Sequence, residues 1–172
     1  VEMKKITMRF GNFTANDKID LDIRKGEVHA LLGENGAGKS TIMNILYGFY
    51  TPTEGETFVK GKKVEIKNPN IAIKNGIGMV HQHFMLVHPF TVTENIILGM
   101  ETTKDFLGTL DIKKAEKEVA DLSKKYGFAV DPSAKIQDIT VGQEQKVEIL
   151  KILYRGADIL IFDEPTAVLT PQ

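Results

Sequence analysis

Residues 33–40 read Gly-Glu-Asn-Gly-Ala-Gly-Lys-Ser and fit the phosphate-binding pattern G-x-x-x-x-G-K-[ST] at all its fixed positions. The pattern requires a strand before it and a helix after it. Residues 27–32 predict a short buried strand, and residues 41–50 place apolar side chains at helical spacing. The stretch therefore predicts a strand, a phosphate loop and a helix that bind a nucleoside triphosphate.

The loop residues have distinct expected roles. Glycines let the backbone curl so that its N–H groups point at phosphate oxygens, and the following helix presents its positive end to them. Lys39 is expected to reach the β- and γ-phosphates, and Ser40 to bind magnesium. The expected nucleotide contacts here are Gly33, Asn35, Gly36, Ala37, Gly38, Lys39, Ser40 and Thr41. The alternative is a glycine-rich turn before an ordinary helix.

Composition limits the classes of function. The 172 residues, 42% of them hydrophobic, can bury the core of one domain or of one domain with a lobe. A net charge of −1 without basic blocks disfavours a nucleic-acid partner. The absence of cysteine excludes disulfides and thiolate zinc sites. No stretch reaches about 18 uncharged apolar residues, so no membrane span is expected.

Periodicity predicts three segments. Residues 1–88 predict a nucleotide-binding core with antiparallel strands at 4–9 and 18–23, a hairpin with strands at 56–59 and 64–67, and a buried strand at 77–80. Strands that alternate with helices around a phosphate loop predict an α/β fold.

The other two segments are predicted from helical and apolar patterns. In residues 89–155 the signals are mainly helical, with one helix capped by Asp111 and another that follows Val141 and Gly142, which predicts an inserted lobe. Residues 156–172 contain the apolar run Ile159–Phe162, which is typical of a central parallel strand.

Two carboxylates follow that last strand. Asp163 and Glu164 are delivered to the carboxyl edge of the sheet, where open α/β folds bind ligands. Asp163 fits the magnesium-shell acid of phosphate-loop NTPases, and Glu164 is expected to polarise an attacking water. The alternative is that residues 163–166 form only a polar turn.

Several motifs together resemble the ATP-binding-cassette (ABC) ATPases over nearly the whole chain. Residues 79–82, Met-Val-His-Gln, resemble the glutamine loop, and residues 140–145, Thr-Val-Gly-Gln-Glu-Gln, resemble the family signature. Phe10 stands where the adenine-stacking aromatic is found. The resemblance implies a P-loop NTPase fold with a mixed sheet core, an antiparallel β subdomain and an inserted helical subdomain.

The resemblance also implies ATP and Mg²⁺ as cofactors. Phe10 would stack on adenine, core packing being the alternative, and Gln82 would contact magnesium and water through its amide. The signature would meet the γ-phosphate bound by a second cassette. The residues expected there are Thr140, Val141, Gly142 and Gln143. Val141 stands where the consensus Leu-Ser-Gly-Gly-Gln has a glycine.

The sequences of residues 78–84, 95–99 and 166–172 resemble the first ATPase half of double-cassette subunits of bacterial importers for simple sugars and nucleosides. The resemblance implies ATP hydrolysis that powers import. It implies a head-to-tail second cassette, membrane permease subunits and, indirectly, an external binding protein as partners, with no nucleic acid. The protein would lie at the inner face of the cell membrane. The alternatives are a soluble cassette ATPase that acts on ribosomes or DNA and a non-catalytic nucleotide-binding module.

The resemblance implies a further strand and a switch histidine beyond Gln172. That strand would lie between residues 30–32 and 160–162. A chain without that strand is expected to leave a vacant slot about 9–10 Å wide between the two strands and to show no meaningful ATP hydrolysis alone. It would be marginally stable, be repaired by a strand of another chain, or fold with a different sheet order.

Overall fold

The computed structural model describes residues 1–81, 84–101 and 110–163. Contacts between residues divide the chain into two compact units, Val1–Ile77 and Gly78–Gln172, which are described separately. The three-segment division expected from periodicity remains a prediction. No helix in the described ranges combines the length and apolarity needed to cross a membrane.

The first unit contains a four-stranded antiparallel sheet. Its strands are β1 (Glu2–Phe10), β2 (Phe13–Asp22), β3 (Glu54–Val59) and β4 (Lys62–Lys63), in the order β2-β1-β3-β4. The predicted opening pair and the predicted hairpin are both present. The second hairpin strand is shorter than expected and lies earlier than residues 64–67.

Two helices complete the first unit. Helix α1 (Lys39–Tyr47) runs between Gly38 and Gly48, both in the left-handed region, and buries Ile42, Ile45 and Leu46. Helix α2 (Pro69–Lys74) begins where the Asn68 side chain accepts a hydrogen bond from the Ile71 backbone N–H, at 3.1 Å. Pro69 lies at the first helical position, where its missing N–H costs nothing.

The strand predicted at residues 27–32 is wrong. These residues have no regular secondary structure, and Val28 and Leu32 are 97% and 91% exposed. An extended apolar segment becomes a strand only when a neighbour pairs with its N–H and C=O groups, and no described strand pairs with this one. The vacant slot expected between two strands therefore does not arise in that form, because one of the two is absent.

The second unit is mainly helical. Strands β5 (Ile77–Val80), which begins at the unit boundary, and β6 (Ile159–Phe162) form a two-stranded sheet. The helices are α3 (Val92–Ile97), α4 (Ile112–Lys125) and α5 (Val141–Tyr154), with a 3-10 turn at Ile136–Asp138. Their shared core is apolar and consists of Val92, Ile96, Val119, Val130, Ile136, Val147 and Leu150.

Local capping sets the helix starts of this unit. The Asp111 side chain accepts from the Lys114 backbone N–H at 3.2 Å, as predicted, and Thr91 and Glu94 form a capping box on α3. Helix α5 begins at Val141, two residues earlier than the helix predicted to follow Val141 and Gly142, because Thr140 caps it.

Strand β6 differs from the buried central strand that its apolar run predicts. Ile161 is buried, but Leu160 and Phe162 are each 38% exposed. Among the described strands β6 pairs only with β5, so one of its edges lacks the cover that a central strand has.

Candidate phosphate site

The phosphate loop ends at an open helix N-terminus. Gly36 and Gly38 have φ values of 82° and 85°, which side chains with a Cβ rarely adopt. Gly38 is the N-cap of α1 and supplies no side-chain cap, and the first turn of α1 contains no acidic residue. The backbone N–H groups of this turn and the positive end of the helix dipole are therefore suited to an anion.

Gly38 is also wedged against strand β2. A Cβ atom at this position would lie 2.6 Å from the carbonyl oxygen of Ala15 and 2.6 Å from Asn16 Nδ2. The Asn16 side chain, which is buried, donates through Nδ2 to the Gly38 carbonyl at 3.3 Å. Glycine at position 38 is thus required by both its backbone angle and its close approach to β2. The role of Asn16 was missed, because nothing in its local sequence marks it.

The Lys39 ammonium points at the loop. Its Nζ donates to the carbonyl oxygens of Gly33 and Glu34, both at 2.8 Å. These contacts place the positive charge beside the same loop whose N–H groups and helix terminus attract an anion. Ser40, which is exposed, and Thr41, which is partly buried, lie in the first turn of α1. With Lys39, this arrangement fits the charge and hydrogen-bonding needs of a polyphosphate.

Phe10 ends strand β1 and is not a core residue. The residue is 42% exposed, and its ring lies nearly perpendicular to the Tyr50 ring, with 5.3 Å between the centroids and an interplanar angle of 79°. Such a perpendicular contact is a favoured aromatic geometry, and the exposure of Phe10 shows that much of the side chain remains accessible. Tyr50, which sequence reasoning missed, follows the end of α1. Its spacing from Phe10 gives no signal that the two rings meet.

The signature-like segment in the second unit is a capped helix start. Thr140 Oγ1 accepts from the Gln143 backbone N–H at 3.4 Å, and Gln143 Oε1 accepts from the Thr140 backbone N–H at 3.0 Å. Val141 is 47% exposed, and a Cβ at Gly142 would meet nothing within 4 Å. The predicted contact residues of this segment thus lie on an open surface of the second unit.

The remaining predicted residues follow strands β5 and β6. The Asp163 backbone N–H donates to the Val80 carbonyl at 3.2 Å, so Asp163 follows β6 beside the end of β5. Gln82 and Glu164 lie outside the described residues. The phosphate loop and Phe10 belong to the first unit, and Asp163 and residues 140–143 belong to the second. Magnesium binding by Ser40, Gln82 and Asp163 stays a prediction.

Known proteins resemble this chain over nearly its whole length. The family model described as ABC transporter matches residues 16–167. The nucleoside import ATP-binding protein NupA of Lactococcus lactis subsp. cremoris is 65% identical over 99% of this chain and 33% of its own length. The guanosine import ATP-binding protein NupO of Bacillus subtilis is 61% identical over 100% of this chain and 33% of its own length. The chain therefore spans about a third of the length of these curated relatives.

A solved structure supports the fold. The crystal structure of a nucleotide-free ATP-binding cassette from an ABC transporter matches with a TM-score of 0.83 at 25% identity. The match covers 99% of this chain and 70% of that one.

Proposed function

Because this chain belongs to the ABC transporter family, we propose that it is an ATP-binding cassette of a bacterial importer and that it hydrolyses ATP to drive uptake of nucleosides. The nucleoside class is supported by two relatives above 60% identity, which are named as nucleoside and guanosine import proteins. A simple sugar is the other substrate class that the sequence resemblance implies.

The observation that carries this proposal is the geometry of the phosphate loop. A triphosphate brings three to four negative charges, and the loop offers the α1 N-terminus, curled glycine N–H groups and the Lys39 ammonium. Lys39 now donates to two neutral carbonyls. Exchange of those carbonyls for β- and γ-phosphate oxygens replaces neutral acceptors with charged ones, which form stronger hydrogen bonds.

The metal and the water need further residues. Ser40, Gln82 and Asp163 would hold Mg²⁺, which neutralises charge on the β- and γ-phosphates when bound. Glu164 would accept a hydrogen bond from the attacking water and orient it in line with the γ-phosphate. Catalysis of this kind consists mostly of positioning and charge neutralisation, so the residues need no covalent step.

The base is held by stacking. The exposed Phe10 ring would stack on adenine, with the nearly perpendicular Tyr50 ring packed beside it. Stacking reads no hydrogen-bonding pattern, so the triphosphate supplies most of the selectivity.

The exposed signature supports a second cassette as a partner. Thr140 to Gln143 form an open helix start in the second unit, and in a head-to-tail dimer they would close on the γ-phosphate held by a second cassette. Membrane permease subunits would carry the substrate and keep the cassette at the inner face of the membrane. An external binding protein would deliver the nucleoside to the permease.

The nucleotide site is tested by titration of a fluorescent ATP analogue into the protein and its Lys39→Ala variant. Affinity should fall at least tenfold, because one charge-assisted contact contributes about 1.5–3 kcal/mol. Lys113→Ala removes an exposed lysine of α4 and serves as the control. Equal affinity in wild type and Lys39→Ala would refute the assignment of the loop.

The transport role is tested in cells that lack the gene. Uptake of labelled guanosine should return with the wild-type gene and not with the Lys39→Ala gene, whereas ribose uptake should not change. Normal nucleoside uptake in the deleted strain, together with a ribosome or DNA defect, would favour a soluble cassette instead.

A further inference from the structure

Helix α5 carries a buried ion pair that the proposed mechanism does not use. Glu148 is 6% exposed, and its Oε1 lies 3.7 Å from Lys151 Nζ, one turn further along the helix. Their side chains are only 7% and 14% exposed. Charged groups at this depth are costly unless they find partners, so their other contacts matter.

Both charges are directed at one residue of the loop between β5 and α3. Glu148 Oε1 accepts from the Met85 backbone N–H at 3.0 Å, and Lys151 Nζ donates to the Met85 carbonyl at 3.3 Å. The pair therefore forms hydrogen bonds with both the N–H and the C=O of one residue, as a paired strand does in a β-sheet.

The Met85 side chain does not anchor this position. It is 68% exposed, so little apolar burial holds the backbone there. Two residues later the loop has a second tie, since the Val87 N–H donates to Asn95 Oδ1 at 2.7 Å and Asn95 Nδ2 donates to the Val87 carbonyl at 3.1 Å. Leu86 packs against the apolar core between the two ties. The path of the loop is thus set by these polar side chains together with the packing of Leu86.

Stability alone does not account for the pair. Replacement of a buried ion pair by apolar side chains of similar volume is often neutral or stabilising. Apolar residues, however, cannot form hydrogen bonds with the Met85 N–H and C=O. Met85 is three residues after Gln82, so the chain between them spans at most about 10 Å, and the position of Met85 limits where the predicted magnesium and water contact can lie.

We propose that Glu148 and Lys151 are positioning residues that tie the loop following Gln82 to helix α5, so that the rate of ATP hydrolysis depends on them although they touch no nucleotide. This inference rests on the proposed ATPase function. Helix α5 begins at the signature-like residues 140–143, so the ion pair connects the loop that contains Met85 to the same helix that carries the signature.

The test uses three variants of the full-length protein. Glu148→Met with Lys151→Met removes both contacts to Met85 while it keeps side-chain volume. Glu148→Gln keeps an oxygen that can accept from the Met85 N–H. Glu116→Ala removes a glutamate of α4 outside these contacts and is the control. Steady-state kcat and KM for ATP, equilibrium nucleotide affinity and hydrogen exchange in a peptide covering residues 84–90 are measured for each.

The double variant should exchange at Met85 about 10- to 100-fold faster, the range that corresponds to loss of a hydrogen bond to a charged group. Its kcat should fall about 10- to 100-fold, as for a small misplacement of a reacting group, while KM and nucleotide affinity stay unchanged. Glu148→Gln should recover most of the kcat, and Glu116→Ala should match wild type.

Wild-type kcat in a double variant with fast exchange at Met85 would overturn the inference, and so would wild-type exchange at Met85. If the double variant does not fold, Lys151→Met alone decides, since it keeps the Glu148 contact and should lower kcat at constant KM. Wild-type kcat in Lys151→Met would then refute the proposal. If the wild-type protein does not bind nucleotide, the ATPase function itself is refuted. The hydrogen-exchange measurement would still test whether Glu148 and Lys151 hold the backbone of Met85.

Discussion

Alanine substitutions at Gly36 and Gly38 separate the two reasons for which a phosphate loop needs glycine. Both positions have φ near +80°, and a residue with a Cβ in that region costs about 1–2 kcal/mol. A Cβ at Gly36 meets nothing within 4 Å, so Gly36→Ala should lower the free energy of unfolding by about 1–2 kcal/mol and no more.

At Gly38 the steric cost is added to the conformational cost. The new Cβ would lie 2.6 Å from the Ala15 carbonyl oxygen, which is backbone and cannot rotate away. Overpacking of this kind costs about 1–3 kcal/mol, so Gly38→Ala should lower the free energy of unfolding by about 2–5 kcal/mol in total.

Urea unfolding followed by far-UV circular dichroism measures both losses, and titration of a fluorescent ATP analogue measures the effect on binding. Gly38→Ala should bind the analogue more weakly than Gly36→Ala, because β2 and the start of α1 must separate to admit the methyl group. Equal losses of stability in the two variants would refute the claim that β2 fixes the loop at Gly38.

Three further predictions concern other residues. Glu164→Gln should leave ATP binding intact and lower turnover about 100-fold or more, in the range of a lost acid-base group, and unchanged turnover would remove Glu164 from the mechanism. Phe10→Ala should weaken adenine nucleotide affinity by about 1 kcal/mol while Phe10→Trp is tolerated, and a lower melting temperature with unchanged affinity would instead indicate a packing role. The backbone N–H and the hydroxyl of Ser133 donate to the Asp131 carboxylate and hold the pKa of Asp131 below its ordinary value. These bonds favour the folded state when the carboxyl is ionised. Their contribution to folding stability is therefore complete above the ordinary pKa and is lost as the pH falls through the lowered pKa. Ser133→Ala should raise that pKa part of the way back, which an NMR titration of the carboxyl group measures, and an unchanged pKa would contradict the assigned cause.

Features that depend on neighbours in sequence were predictable. Asn68, Asp111 and Thr140 each cap a helix through a backbone N–H a few residues away, so the starts of α2, α4 and α5 could be located from residue type and spacing. The phosphate loop was predictable for the same reason, because its glycines and Lys39 are nearly consecutive.

Features that depend on distant parts of the chain were not predictable. The apolar pattern of residues 27–32 predicts a strand, but a strand also requires a partner, and the pattern carries no information about one. Glu148 and Lys151, a turn apart on a helix, have the spacing of a solvated face. Their burial is decided by a loop 63 residues earlier in the chain, as the contact between Met85 and Glu148 makes plain.

The segment from Met85 to Val87 has a genetic consequence. A ladder between two main chains tolerates most amino-acid replacements, since nearly every residue carries the same N–H and C=O groups. Here the corresponding bonds come from the side chains of Glu148, Lys151 and Asn95, so three codons outside the segment help to specify its course, together with the core packing of Leu86. Replacement of those codons can therefore change the course of this stretch without any change in its own sequence, so the stretch can evolve through positions that lie outside it.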